Sequence, residues 1–196
     1  MIGHALEIVV KQLNAYIEQR RGHEDLVVLE RLVDSKGDFT SRSVGKVCCS
    51  LVNMEEERIG KQQPVSNDGN GFAVRGNPDV LVNLYLLFAV NTPTDGQNSD
   101  AYLQGLRLLS LVVTFFQGKS LFTPQNTPGM HPGLRQLNLE LHPLSLEHQN
   151  HLWAGLGAKY VPSALYKLRV VALRDDSAVP LGPAIQSIHI SQGGDL

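Results

Sequence analysis

The sequence predicts a single mixed α/β domain, a sheet of five or six strands flanked by about three helices, and three observations carry that expectation. Helix-like and strand-like apolar periodicities alternate along the chain without a strict strand-helix-strand rhythm. The 196 residues suit one core, large enough to bury roughly 70% of the unfolded surface. A composition of 42% hydrophobic and 18% charged residues excludes a disordered or acidic-tail protein. The domain is expected to span residues 1–173, with 174–196 as a C-terminal extension that carries a possible strand or arm.

Ile2, Leu6, Val9, Leu13 and Tyr16 recur at spacings of 4, 3, 4 and 3, with Glu7, Lys11, Asn14 and Glu18 opposite, so the chain opens on an amphipathic helix. Arg20 and Arg21 suit the negative end of its dipole, and Gly22 supplies the exit. Residues 26–29 form a short strand and 44–55 a longer one that closes on Glu55-Glu56-Glu57. Residues 60–79, with two Pro, four Gly and three Asn, are the clearest loop. Residues 80–90 are apolar on both alternating faces, which predicts a strand covered on both sides.

Asp100 caps a helix running to about Gln117, whose polar residues Asp100, Gln104, Arg107, Ser110, Thr114 and Gln117 make one narrow stripe; such a helix is expected to be buried over most of its circumference. A Pro- and Gly-rich loop (118–133) leads to a strand at 137–141. Ser145 then caps a short helix that ends near Gly155 or Gly157 and places Leu146, Leu152, Trp153 and Leu156 opposite Glu147, His148 and His151. Strands at 166–173 and, in the extension, 185–190 complete the set.

The chain carries 17 Lys+Arg against 19 Asp+Glu, a net charge of −2, which leaves no cationic excess for nucleic acid. The longest apolar runs, 80–90 and 106–116, are too short to span a bilayer, and Glu7 and Lys11 interrupt any signal-peptide pattern. Cys48 and Cys49 are adjacent on a strand, point to opposite faces and act as small buried hydrophobes, as expected of a reducing compartment.

Motifs with chemical potential fail on context. Gly118-Lys119-Ser120 would put the first P-loop glycine at Val113, inside a helix, and Gly69, Gly71 and Gly76 miss the dinucleotide spacing. No serine sits in a G-x-S-x-G elbow. Glu55-Glu56-Glu57 is expected to be a solvated strand end. His142, His148, His151 and Glu147 are the one set that would support a metal-dependent hydrolase. The order Glu-His-x-x-His matches neither zinc-helix pattern, so a solvated or partner-facing histidine face is the preferred reading. A small monomeric binding module is the remaining alternative, and would show a concave apolar pocket without self-association.

Five ordered blocks carry a resemblance. They are residues 50–58 (SLVNMEEER), 81–88 (LVNLYLLF), 115–124 with Phe115-Phe116-Gln117-Gly118-Lys119 and Phe122-Thr123-Pro124, 144–160 with Leu144-Ser145-Leu146-Glu147, Asn150, Leu152, Trp153, Leu156, Gly157 and Lys159-Tyr160, and 162–167 with Pro162-Ser163 and Leu165-Tyr166-Lys167. In that order they resemble the cap (tail-terminator) family of extracellular contractile injection systems, the phage-tail-like particles such as the antifeeding prophage and the Photorhabdus virulence cassette. The resemblance covers about residues 2–173, with Cys48-Cys49 standing where plainer aliphatic residues are expected.

The resemblance implies a tail-terminator-like α/β domain that assembles as a homohexameric ring on the distal end of the inner tube and sheath, in the bacterial cytoplasm, and then forms part of a released or cell-associated particle. It implies the tube protein, the sheath protein and further copies of the chain as partners, with no catalytic residues, cofactor or metal. The candidate interface residues are Gln104, Arg107, Ser110 and Thr114 on the stripe, His148 and His151 on the second helix face, and Ile185, Ile188 and Ile190 in the extension. With a near-balanced charge, ring contacts are expected to rest on shape and apolar area more than on salt-sensitive attraction.

Overall fold

The computed structural model describes residues 1–23, 25–57, 65–67, 72–75, 81–92, 99–171 and 179–183. Among them are three helices, α1 (Ile2–Arg21), α2 (Ser99–Gly118) and α3 (Leu146–Leu156), and a 3-10 turn at Ser41–Ser43. The strands are β1 (Val27–Leu29), β2 (Val47–Glu56), β3 (Val65–Asn67), β4 (Phe72–Arg75), β5 (Leu81–Val90), β6 (Leu121–Phe122), β7 (Gln136–Leu141), β8 (Ser163–Val171) and β9 (Val179–Pro183). Six strands form the main sheet in the order β1-β2-β5-β8-β7-β6. Only β1 and β2 run parallel, so the sheet is mixed, as the sequence predicts.

Strand β5 holds the centre because both of its faces are apolar. Leu84, Leu86, Phe88 and Val90 enter the larger core under α1 and α2, while Leu87 and Ala89 enter a smaller core under α3. Each fully buried Leu or Phe contributes about 1.5–3 kcal/mol. The two cysteines divide as strand alternation requires: Cys49 lies in the larger core and Cys48 in the smaller. Burial pushes both thiols up in pKa, so neither is a poised nucleophile.

Helix α1 buries Ala5, Leu6, Ile8, Val9, Val10, Leu13 and Ile17, a band wider than the stripe the spacing predicts. Gly22 ends it at φ 68 and donates its N–H to Glu18 O at 2.8 Å. Asn14, on the expected solvent side, instead grips β1: its Nδ2 donates to Val27 O at 2.8 Å, and its Oδ1 accepts from Val27 N–H at 2.9 Å.

Five expectations are corrected. Strand β2 starts at Val47, because residues 41–43 turn; β8 starts at Ser163, three residues early. The stretch 60–79 is not all loop: β3 and β4 within it form a three-stranded antiparallel sheet with β9, which sits in the extension. β6 lies inside the expected loop 118–133 and pairs with β7 at Leu121↔Asn138 and Phe122↔Leu137. Leu146 is 86% exposed rather than packed, because it is the first residue of α3, about two turns before the anchor Trp153.

Candidate assembly surface

Gly105 lets α2 lie close on the sheet, since a Cβ there would stand 2.5 Å from Val90 Cγ1 and 2.9 Å from Thr92 Cγ2. Further along, Phe115 and Phe116 pack at 5.1 Å between ring centres, and Phe116 meets Phe88 at 5.3 Å and Tyr166 at 4.9 Å. Leu108 and Val112 complete the buried line. The predicted burial over most of the circumference is not found: the helix is buried on one face only. Tyr102, Leu106, Leu109 and Val113, spaced 4, 3 and 4, form an apolar flank that is half-buried to exposed, with Tyr102 at 50%.

The stripe Gln104, Arg107, Ser110 and Thr114 is exposed, as predicted. Its hydroxyls bond to their own helix, Ser110 Oγ donating to Leu106 O and Thr114 Oγ1 to Ser110 O, both at 2.8 Å. That leaves Gln104 and Arg107 as its outward polar groups. They line a cleft of about 460 Å³ with Arg21 and His23, and among the described residues no acidic side chain lines it.

Helix α3 begins where Ser145 Oγ accepts from His148 N–H at 3.2 Å and ends at Gly157, φ 65. Its anchor, Trp153, is 4% exposed and packs on Tyr160 at 5.6 Å, yet its Nε1–H has no partner among the described residues. Trp153 lines a groove of about 370 Å³ together with Leu109, Val113, Leu141, Leu144 and Tyr160. The α2 flank therefore continues into the α3 groove around the end of β7. This continuity escaped the sequence reading, which placed the two surfaces separately.

His148 and His151 face outward, as predicted. His142 packs its ring on Tyr85 at 5.2 Å, on the link between β7 and α3. Among the described residues no three His, Cys, Asp or Glu gather as a metal site. Lys119 of the P-loop-like run donates to Gln12 Oε1 at 3.0 Å and Asn126 O at 3.1 Å; burial lowers its pKa. Glu55-Glu56-Glu57 is more engaged than a solvated end. Tyr85 Oη donates to Glu55 Oε2 at 2.9 Å, and Glu57, 17% exposed, pairs with Arg169 at 3.2 Å. Ile185, Ile188 and Ile190 lie outside the described residues.

Sheet edges are managed by asparagine carboxamides, a feature the sequence does not advertise. Asn14 closes β1 at Val27. On the opposite edge Asn126 Nδ2 donates to Leu121 O at 3.0 Å while its Oδ1 accepts from Thr123 N–H at 2.9 Å, closing β6. Beyond β6 the edge passes to β7. Leu139 N–H donates to Ser120 O at 2.8 Å, and past that point Leu141 has no outer strand among the described residues. Leu141 is 54% exposed.

Residues 4–187 match the family described as the Pvc16 N-terminal domain. No curated protein matches the chain. Among solved structures the chain is similar to the anti-feeding prophage cap, described as the AFP tube terminating cap, at 16% identity and a TM-score of 0.51, covering 92% of this chain and 60% of that one. It is also similar to the PVC sheath/tube terminator in its extended state, from an extracellular contractile injection system, at 16% identity and a TM-score of 0.46, covering 100% and 65%. The chain thus spans under two thirds of the length of either structure.

Proposed function

Because the chain belongs to the family of the Pvc16 N-terminal domain, we propose that it is a structural terminator that ends the inner tube and sheath of a contractile injection particle. In this reading six copies close into a ring on the distal end, and the tube protein, the sheath protein and neighbouring copies are its partners. It is assembled in the bacterial cytoplasm and then leaves, or stays cell-associated, as part of the particle. It has no catalytic task. The family match across 4–187 carries the proposal. The uncovered apolar flank of α2 and the adjoining groove support it, because a closed ring needs one apolar patch per subunit to meet a different patch on the next.

Particles lacking this chain are expected to have tubes and sheaths of irregular length and unsealed distal ends in negative-stain images, and adding back the chain restores uniform length. Uniform, sealed particles without it would overturn the reading. Purified chain is expected to give six-fold rings, or a six-copy mass by light scattering, once tube is present. Moderate salt should leave those rings intact; their strong dissociation would contradict contacts dominated by apolar area.

A further inference from the structure

We infer that the open end of β7 and the groove beside it accept an extended strand from a second copy of this chain, residues 184–191. Backbone polarity comes first. His142 N–H donates to Leu165 O at 2.8 Å, and the register pairs Leu141 with Tyr166. In an antiparallel ladder the pairs on either side of a hydrogen-bonded pair are not bonded to each other, so the N–H and C=O of Leu141 point away from β8. The segment leading from α2 into β6 follows β7 only as far as Ser120, opposite Leu139, and Asn126 blocks the outer side of β6. An incoming strand takes up the ladder where β6 leaves it.

The side chains add a second, independent match. Among the described residues the groove of about 370 Å³ has no Asp, Glu, Lys or Arg in its lining. Residues 184–191 read Ala-Ile-Gln-Ser-Ile-His-Ile-Ser and are likewise free of those charges. Ile188 and Ile190 fall on one face of a strand. Leu141 lies on the α2 side of β7, because it pairs with Tyr166 of the larger core, so the two isoleucines meet Leu141, Leu109 and Val113. Trp153 lines the same groove, so its emission reports whether the groove is filled. The segment follows directly on Pro183, where β9 ends.

A second copy is the donor because, in a ring, each subunit offers one such segment and one groove, and exchange between neighbours satisfies all of them with none left over. The inference takes that ring from the proposed function, and its test is separable from it. A photo-crosslinking phenylalanine analogue replaces Leu141 in the full chain, which is mixed with isotopically heavy full chain under assembly conditions. The expected product joins light position 141 to a heavy peptide containing 184–191. Its yield falls about tenfold with Ile188→Asp in the heavy copy, as burying a carboxylate in an apolar groove requires. The emission of Trp153, the single tryptophan, shifts on assembly of the unsubstituted chain and not of Ile188→Asp. Crosslinks confined to one copy, crosslinks to any other segment, or none at all would overturn the inference. Six-fold rings that form without this crosslink sink it while leaving the terminator reading intact; the crosslink without rings or capping does the reverse.

Discussion

Helices α1 and α2 are both 20 residues long and both pack on the same side of the sheet, but they are used differently. α1 spends its apolar residues inside the chain: seven side chains are buried, and even its polar Asn14 is committed to β1. α2 is the more apolar of the two and buries less of what it has. Its flank at Tyr102, Leu106, Leu109 and Val113 stays in reach of solvent, next to a groove that is also apolar. α1 is therefore a folding element. α2 folds the domain with one side and leaves apolar area on the other, which the proposed assembly would cover.

The difference can be broken or sharpened by substitution, starting with the largest effect. Leu13→Ala, at a fully buried position of α1, is expected to cost about 3 kcal/mol in urea unfolding, the usual range for an unrelaxed core cavity. Gly105→Ala is expected to cost about 1–3 kcal/mol, because the new methyl meets the stiff Val90 side chain and α2 must lift; an unchanged midpoint would show that α2 is loosely seated.

The next effect is a pH dependence. Cys49 ionises near 9 when unfolded, and burial pushes the folded thiol above that. The unfolded chain then loses a proton that the folded chain keeps, so its stabilising contribution is intact below pH 9 and declines as pH rises past it. The loss is about 1 kcal/mol between pH 9 and 10, and Cys49→Val should remove that share of the slope in urea midpoints. The smallest stability effect is expected for Leu109→Ser, under about 1 kcal/mol in the isolated chain, with self-association abolished in light scattering. If Leu109→Ser destabilises the monomer as much as Leu13→Ala does, the contrast between the helices fails.

Periodicity and caps made much of this architecture legible. The apolar alternation of β5, the Gly22 exit, the Ser145 cap and the opposed cysteines are local patterns, and each stands as predicted. What was illegible depends on distant partners. The strands at Val65–Asn67 and Phe72–Arg75 are too short to outweigh the Gly and Pro around them, and β4 is completed by β9 from the far end of the chain. The width of α2's apolar surface was read correctly, but periodicity does not say whether its cover comes from the same chain or another. Asn14 looked like a solvent-side residue because nothing in its neighbourhood announces Val27, 13 residues on. On the candidate surface, the exposed stripe and histidine face were visible; the groove joining α2 to α3, the unpartnered Trp153 N–H and the open Leu141 edge needed coordinates.

The neighbouring cysteines turn the domain into its own two-channel clock. Cys48 sits beneath α3 and Cys49 beneath α1 and α2, both as free thiols. A thiol reagent can modify each only when its own side of the sheet opens, so two labelling rates on adjacent residues report two separate opening free energies. If tube or neighbouring copies clamp α2, the Cys49 rate falls; if they clamp α3, the Cys48 rate falls. A single peptide, followed by mass over time, thus says which layer of the domain the assembled particle holds shut.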